Sequence, residues 1–405
     1  MTACGPGNDR LDRLSDYPFT RLSRLLADLS PPAGLAPLLL SLGEPQHPPP
    51  ALIGEVLAAN AHLWGRYPPV NGTADFRAAA GAWLERRYRL PPGRLDPEVS
   101  VLPVAGSREA LFLTALLAVP ERRSGRTPAV LLPNPFYAVY EGAGLLAGGE
   151  PVFLAATRET GFLPDLDTLP PALLERTALF YLCSPGNPQG AAADAGYLAR
   201  ALRLARHWGF VLAVDECYAE IYTGTPPVGA LQVAATLGRG ASSPWENLLV
   251  FHSLSKRSSA AGLRSGFVAG DPELIGRFAR LRAYSNAGTP LPVAAAAAAL
   301  WRDEAHVEAN RALYRAKFDA AAAGLGDRFG FYRPDGGFFL WLEVGCGERA
   351  CRRLWAEAAV KVLPGAYFAC TDADGRNPGA AYIRVALVHD AAVVAEAASR
   401  IIAVL

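Results

Sequence analysis

The sequence predicts an α/β protein, in which a large domain holds a mostly parallel seven-stranded sheet between helices and a smaller α+β domain completes the chain. Two observations lead to this class. Seven short apolar runs alternate with longer segments of helical periodicity, the pattern of strands that are buried on both faces. The chain also has 405 residues, 51% of them hydrophobic and 19% charged, which is enough for two packed cores.

The apolar runs that we interpret as strands of the large domain occupy one continuous part of the chain. They are residues 99–104, 129–133, 151–155, 178–182, 210–214, 248–252 and 265–270. Segments with apolar residues at helical spacing lie between them, such as SREALFLTALLAV and AGYLARALRLARHWG. We therefore assign residues 46–284 to the large domain, and residues 1–45 and 285–405 to the small domain.

The rest of the chain has a different pattern, because its helices and strands are separated along the sequence. An amphipathic helix is predicted over residues 18–29, and long helices over 293–325. Strands are predicted at 338–344 and 382–388. This separation is typical of an α+β domain, and we expect the amino-terminal segment to pack on it.

The composition argues against several classes of function. The formal net charge is +1 and no basic block occurs, so neither nucleic acid nor a membrane is an expected partner. The six cysteines form no CxxC pair, so no metal site is expected and we interpret them as reduced thiols. The amino-terminal segment has no apolar signal core, and the alanine-rich run 293–301 is too short to span a bilayer. We expect a soluble, cytoplasmic protein.

One lysine is conspicuous because lysine is rare in this chain. Only three of the 39 basic residues are lysines, and Lys256 follows the predicted strand 248–252 in a Ser/Gly-rich turn. A neutral lysine amine attacks carbonyl groups, which the permanently protonated arginine side chain cannot do. Taken alone, the position of Lys256 fits an exposed loop lysine better than a lysine that bonds to an aldehyde. The residues at the other strand ends are needed to distinguish these two interpretations.

Polar residues follow three other predicted strands, at the carboxyl edge where the functional groups of α/β sheets gather. Gly106 and Ser107 stand at the start of a helix and suit an anion, although an ordinary serine N-cap explains them better when they are taken alone. Asn187 lies in a Gly-Asn-Pro turn, for which a plain turn is also the simpler explanation. Asp215, with Tyr218 three residues later, directly follows an apolar run and needs a cationic partner.

These strand ends together indicate one ligand. Ser253 and Arg264 flank Lys256 and add hydrogen-bond donors for a phosphate. Pyridoxal 5′-phosphate (PLP) carries a phosphate, a basic ring nitrogen, a phenolic oxygen and an aldehyde, and would use every group. Asp215 would keep the ring nitrogen protonated, so that the ring can act as an electron sink. A nucleotide hydrolase is excluded, because its phosphate loop requires a Gly-Lys pair and this chain has none.

Four separated motifs resemble those of the class I and II aminotransferases of PLP fold type I: GSREAL, SPGNPQG, DECY and SLSK, the last with an arginine eight residues after the lysine. Their order and spacing agree with that family over nearly the whole chain. Further segments, such as DEAHVEANRALYRAKF, are most similar to succinyldiaminopimelate aminotransferases of lysine biosynthesis. The resemblance therefore implies amino transfer between N-succinyl-LL-2,6-diaminopimelate and 2-oxoglutarate.

The resemblance implies a catalytic or cofactor-binding role for each matching residue. Lys256 would bond to the cofactor aldehyde and move the proton, and Asp215 would pair with the ring nitrogen. Asn187 and Tyr218 would hydrogen-bond the ring oxygen, and Tyr137 would stack on the ring face, unless it only packs in the core. The residues implied for the phosphate are Ser107, Arg108 through its backbone N–H, Ser253 and Arg264.

The resemblance also implies how substrates bind. Arg384 would clamp the substrate α-carboxylate with two hydrogen bonds, unless it is a surface residue of its strand. Gly43 would let the backbone approach the substrate, to which Asn187 would also contribute. Tyr67 would reach the phosphate bound by the partner subunit. A homodimer with shared active sites is therefore implied.

Some positions depart from the closer family and keep other activities open. The segment 284–292 differs where such enzymes line the substrate pocket, and NPQG at 187–190 stands where NPTG is expected. The alternatives on the same fold are an aspartate- or aromatic-type aminotransferase and a PLP-dependent C–S lyase. A requirement for a keto-acid acceptor would separate them. A DNA-binding regulator is disfavoured, because the segment before Gly43 is too short for a helix-turn-helix domain and linker.

Overall fold

A computed structural model describes residues 7–238, 243–285 and 288–405 of the chain. Its strands are, in order, β1 (Leu38–Leu39), β2 (Val101–Val104), β3 (Ala129–Asn134), β4 (Glu150–Ala155), β5 (Thr177–Cys183), β6 (Val211–Asp215), β7 (Leu248–Ser253), β8 (Gly266–Gly270), β9 (Phe339–Glu343), β10 (Val360–Lys361), β11 (Leu363–Pro364) and β12 (Tyr382–Ala386). Its α-helices are α1 (Pro18–Leu25), α2 (Leu52–Ala59), α3 (Ala74–Tyr88), α4 (Pro97–Ser100), α5 (Ser107–Ala118), α6 (Ala138–Leu146), α7 (Pro171–Leu174), α8 (Ala195–Trp208), α9 (Ala230–Thr236), α10 (Leu254–Arg257), α11 (Pro272–Ser285), α12 (Leu291–Arg302), α13 (Ala305–Leu325), α14 (Gly347–Ala358) and α15 (Ala391–Val404).

The seven predicted strands of the large domain are all present and form one sheet. Their order is β2-β8-β7-β6-β5-β3-β4, and β8 runs antiparallel to both of its neighbours while the other pairs are parallel. The predicted α/β class with a mostly parallel sheet is therefore confirmed. Most of these strands are buried along their whole length, which explains why they read as continuous apolar runs.

Helices cover both faces of this sheet. Because side chains alternate along a strand, Leu212 and Val214 of β6 pack toward α3, α8, α9 and α12, whereas Val211 and Ala213 pack toward α5, α6 and α11. Two separate apolar cores result, one on each side of the sheet. The sheet is therefore packed on both faces, and the loops at its carboxyl edge extend from this packed scaffold.

The carboxy-terminal part holds a second, smaller layer of sheet. Strands β11, β12 and β9 form an antiparallel sheet, and β1 pairs in parallel with β10. Helices α13, α14 and α15 pack on them in a third core. The strands predicted at 338–344 and 382–388 are present as β9 and β12. Helix α1 is shorter than predicted, because it ends at Leu25 and the chain forms a turn directly after it.

Helix α12 lies outside the predicted large domain in sequence, yet it packs in the first core. Leu300 and Trp301 are fully buried there. The centre of the Trp301 ring lies 4.8 Å from the ring centre of Trp83 and 4.8 Å from that of Phe267. We therefore propose that the large domain extends to the end of α12, while residues 1–45 and the segment after α12 form the small domain. Within the described ranges, no helix has the length and apolar character needed to cross a membrane.

Candidate active site

A cavity of about 700 Å³ opens at the carboxyl edge of the large sheet, where it meets β9 and β12. Its lining includes all of the predicted site residues except Tyr67: Gly43, Ser107, Arg108, Tyr137, Asn187, Asp215, Tyr218, Ser253, Lys256, Arg264 and Arg384. Tyr67 lies elsewhere, with 92% of its surface exposed. The structure therefore brings together residues that are as far apart in sequence as Gly43 and Arg384.

The sheet topology explains this convergence. Strands β5, β6 and β7 are parallel neighbours, so the segments that carry Asn187, Asp215 and Lys256 leave the sheet at the same edge. Asp215 itself pairs with Cys183 of β5 and with Phe251 of β7. Because β8 runs antiparallel to β7, it begins at the edge where β7 ends. The segment between the two strands therefore stays at this edge and carries both Lys256 and Arg264.

Lys256 lies in α10, a single helical turn that directly follows β7. Its Nζ donates a hydrogen bond to the Gly43 carbonyl oxygen at 2.5 Å and lies 5.2 Å from the centre of the Phe338 ring. Burial lowers the pKa of the Lys256 amine to about 8, and the positive charges of Arg384 and Arg108 contribute to the decrease. The lowered pKa increases the neutral fraction of this amine near neutral pH, and the neutral amine is a nucleophile.

Asp215 ends β6 and is almost completely buried. Its Oδ2 accepts a hydrogen bond from the Tyr140 hydroxyl at 2.9 Å, and its Oδ1 accepts one from the Cys217 backbone N–H at 3.2 Å. Burial raises the pKa of the Asp215 carboxyl, because these neutral donors replace hydration only in part. A buried carboxylate in this state is stabilised by a cation, and a protonated ring nitrogen fits that requirement.

The turn that is predicted to suit an anion lies where β2 leads into α5. Gly106 has φ +87°, and a Cβ atom at this position would lie 2.6 Å from Nη2 of Arg264, so glycine is required there. Arg264 donates to the carbonyl oxygens of Ala105 at 3.1 Å and Ala261 at 3.0 Å, which hold its guanidinium beside the first turn of α5. Backbone N–H groups at the start of a helix and an arginine suit a phosphate.

Arg384, on β12, forms the opposite wall of the cavity. Its guanidinium lies between the rings of Phe339 and Phe368, at 4.1 and 4.3 Å from their centres. It donates to Asn187 Oδ1 at 3.0 Å and to the Ser41 carbonyl oxygen at 2.7 Å, while its Nε has no hydrogen-bond partner among the described residues. Burial lowers the pKa of Arg384 to about 10, so it remains protonated at neutral pH. Because Arg384 lines the cavity, its guanidinium suits a substrate carboxylate.

Three features of the site were not predicted from the sequence. The Arg108 side chain, expected to act only through its backbone, donates from Nε to the Tyr137 hydroxyl at 2.6 Å and from Nη2 to the Tyr17 hydroxyl at 3.2 Å. Tyr17 comes from the amino-terminal segment, and no motif indicated its presence. Tyr140 supports Asp215, and its position three residues after Tyr137 on one helix was the signal that could have revealed it.

The donor set of this cavity fits PLP: a buried acid for the ring nitrogen, a neutralisable lysine, and a helix start with an arginine for the phosphate. Sequence comparison gives the class directly, since residues 37–401 match the family model for aminotransferase class I and II. The chain belongs to this family. It is therefore a PLP-dependent aminotransferase of fold type I, acting on amino acids and keto acids.

Individual relatives cover almost the whole chain. The LL-diaminopimelate aminotransferase of Syntrophobacter fumaroxidans is 31% identical over 401 residues, which are 97% of each protein. A crystal structure of an aminotransferase from Neisseria meningitidis is 42% identical, with a TM-score of 0.92 over 98% of this chain and 99% of that one. A probable N-succinyldiaminopimelate aminotransferase from Thermus thermophilus is 27% identical, with a TM-score of 0.81 over 95% and 98% of the two chains.

Proposed function

We propose that this aminotransferase moves an amino group between N-succinyl-LL-2,6-diaminopimelate and 2-oxoglutarate, in the cytoplasm. The observation that carries the proposal is that two cationic side chains, Arg384 and Arg108, line one cavity. Both substrates have an α-carboxylate at the reacting end and a further carboxylate at a distance, so each would engage both arginines. Similarity to the Thermus thermophilus protein supports the succinylated substrate.

We assign the reacting end of the substrate to Arg384. Two hydrogen bonds and two aromatic rings hold its guanidinium in one orientation in the cavity wall. A carboxylate bound there would place the α-carbon on the side of the cavity where Lys256 lies. Lys256 would then remove the α-proton as a general base and return it as a general acid, since its pKa of about 8 lies near neutral pH.

The cofactor would be held by groups from the ends of the large-sheet strands. Bound PLP supplies an electron sink for the charge that develops at the substrate α-carbon. Asp215, oriented by Tyr140, would keep the ring nitrogen protonated, and Tyr137 would cover the ring face. Asn187 and Tyr218 would bind the ring oxygen. The phosphate would be bound by Ser107, the Arg108 backbone N–H, Ser253 and Arg264.

We assign the distal carboxylate to the Arg108 side chain. Its hydrogen bonds go to the hydroxyls of Tyr137 and Tyr17, which are neutral acceptors, and no described acidic residue forms an ion pair with it. Burial raises the pKa of Tyr137, so this phenol stays protonated. A long substrate could extend along the cavity toward Tyr17 and the amino-terminal segment, whereas 2-oxoglutarate would reach Arg108 directly.

A second candidate substrate is LL-diaminopimelate itself, and one residue favours it. Glu44, next to Gly43, is exposed and lines the cavity. It would attract the free distal ammonium of diaminopimelate, which the succinyl group converts to a neutral amide. The Syntrophobacter fumaroxidans relative carries this activity in its name.

The two substrates can be separated with one pair of measurements. The purified enzyme, loaded with PLP, is assayed for glutamate formation from 2-oxoglutarate with each diamino acid. The proposal expects turnover with N-succinyl-LL-2,6-diaminopimelate and little effect of Glu44→Gln. Preference for the unsuccinylated substrate, together with a loss in Glu44→Gln, would favour the second candidate. Activity with aspartate or aromatic amino acids alone would exclude both.

We also propose a homodimer with shared active sites. Exposed aromatic residues lie on the segment 64–67 and at the end of α11: Trp64 is 56% exposed, Tyr67 92% and Tyr284 89%. Side chains of this kind are energetically costly in water and are enriched at subunit interfaces. In the proposed dimer, Tyr67 extends into the cavity of the partner subunit and binds the phosphate.

A further inference from the structure

Asn310 lies in the second turn of α13, and both polar atoms of its carboxamide form hydrogen bonds. Its Nδ2 donates to the carbonyl oxygens of Lys256 at 3.0 Å and Arg257 at 3.2 Å. Its Oδ1 accepts from the Ser259 hydroxyl at 3.0 Å and lies 3.2 Å from His47 Nδ1. The side chain is 8% exposed and does not line the cavity. It therefore has no direct access to substrate.

These contacts join two segments that meet at the reacting centre. One is the turn that carries Lys256, and the other is the segment 43–47, which begins with Gly43 and contains His47. The same two segments are also joined directly, because the Lys256 amine donates to the Gly43 carbonyl oxygen. That direct bond involves the amine itself, which changes its position and its bonding when it acts as a nucleophile or a base. The bonds of Asn310 do not involve the amine, so they can persist throughout turnover.

Other side-chain contacts also hold the turn that carries Lys256, but they are made by the residues that follow Lys256. The Arg257 side chain pairs with Glu304 at 2.8 Å, and the Ser258 hydroxyl lies 2.8 Å from Nε2 of His306. Both anchors come from the corner between α12 and α13. Asn310 differs because its bond ends on the backbone of Lys256 itself and because it continues to His47.

We propose that Asn310 is a positioning residue for the amino-transfer reaction: it fixes the Lys256 backbone relative to the segment 43–47 while the Lys256 amine changes partners. The inference rests on the proposed role of Lys256 and is independent of which diamino acid is the substrate. Loss of the four hydrogen bonds would let the turn shift, and a displacement of about 1 Å at a reacting group can slow turnover by about 100-fold.

The test uses Asn310→Leu, which keeps the size of the side chain and removes its polarity, and Asn310→Asp, which keeps Oδ1 and removes both donors. Leu313→Ala, at an exposed position of the same helix, is the matched control. The first readout is steady-state kinetics of the holoenzyme. We expect kcat to fall about 10- to 100-fold in both Asn310 variants with little change in KM, and neither constant to change in the control.

The second readout measures the amine without the cofactor. Acetic anhydride labels neutral amines, so labelling of Lys256 in cofactor-free protein can be followed against pH by peptide mass spectrometry. Because Lys256 is one of three lysines, its peptide is readily identified. We expect the midpoint to shift upward in Asn310→Leu by about one pH unit, as the amine gains access to water. Lys361 in the same samples should titrate as in the unchanged protein.

Three results would contradict the proposals, two of them the positioning role of Asn310 and one the role of Lys256. Unchanged kcat and unchanged labelling in a folded Asn310→Leu protein would remove the positioning role. An equal decrease in kcat for Leu313→Ala would do the same, because the effect would then belong to α13 as a whole. If borohydride instead fixes PLP to another lysine in the unchanged enzyme, the proposed role of Lys256 is wrong. If Asn310→Leu does not fold, the test rests on Asn310→Asp, and an unchanged kcat in that variant would remove the positioning role.

Discussion

The Lys256 amine donates a hydrogen bond to the backbone carbonyl oxygen of Gly43, and the two atoms are 2.5 Å apart. The acceptor is neutral, so it orients the amine without stabilising its charge as a carboxylate would. Burial can therefore lower the pKa of Lys256 to about 8. Lys256 and Gly43, which are far apart in the sequence, are thus in direct contact.

Lys256→Ala should abolish both stable attachment of PLP and multiple turnover, because no other lysine lines the described part of the cavity. The measurement is borohydride reduction of the holoenzyme followed by peptide mass spectrometry. Lys361→Ala is the control and should retain attachment and activity. PLP reduced onto Lys317 or Lys361 in the unchanged enzyme would contradict the assignment.

Asp215→Asn should slow turnover by orders of magnitude and stabilise the cofactor-free protein at neutral pH. Burial raises the pKa of Asp215, so the folded state binds more protons than the unfolded state above the ordinary carboxyl pKa, and stability is lost as pH rises. The amide removes this cost, which should increase the free energy of unfolding by about 1–2 kcal/mol.

Urea unfolding of the two cofactor-free proteins at neutral and acidic pH measures this effect. The difference should vanish at a pH low enough to protonate Asp215 in both the folded and the unfolded state. A variant that is less stable at neutral pH, or one with nearly unchanged turnover, would show that the carboxylate has a structural role instead.

Arg384→Gln should weaken amino and keto substrates alike, because both lose the same anchor for the α-carboxylate. The loss of a buried charge-assisted pair costs about 2–5 kcal/mol, mainly as a higher KM and a lower kcat/KM. Steady-state kinetics of both half-reactions provide the measurement. Arg376→Gln, at an exposed ion pair, should leave both constants unchanged. A selective effect on one substrate would assign Arg384 to something other than the shared carboxylate.

Mixed dimers test the shared active site. Lys256→Ala and Tyr67→Ala should each be impaired, since one lacks the reacting amine and the other a phosphate contact. When the two are unfolded and refolded together, each mixed dimer should contain one site with both native residues, so activity should return. No recovery in mixed dimers, verified by native mass spectrometry, would count against Tyr67 acting across the interface.

Much of the site could be predicted because strand ends are readable from the sequence. Asp215 and Lys256 directly follow apolar runs that are buried on both faces, and parallel neighbours place such ends at one edge. Gly106 was identified at the same edge for a related reason, since a helix begins there. The functional type of each of these positions can therefore be predicted from its own segment, although the cavity is built from segments that are far apart in the sequence.

The remaining contacts could not be predicted, since they depend on how distant elements pack. The Arg108 side chain was assigned no role because nothing near it in sequence indicated Tyr17. Helix α12 was placed in the small domain because its alanine-rich pattern gives no indication of which core it joins. In the segment 284–292, which departs from the closer family, Asn286 lies outside the described ranges, and Tyr284 is largely exposed.

The residues assigned to the cofactor and those assigned to the substrate come from different elements, and this separation has a practical consequence for changing the substrate specificity. Groups assigned to the cofactor within one subunit come from the segments that follow β2, β3, β5, β6 and β7 and from the turn before β8. Arg384 and the rings that hold it come from β9, β12 and the segment around Phe368. Combinatorial libraries confined to the latter elements and to the amino-terminal segment should therefore explore new amino donors without sacrificing cofactor loading. Retained PLP absorbance would serve as a simple screen for library members worth assaying.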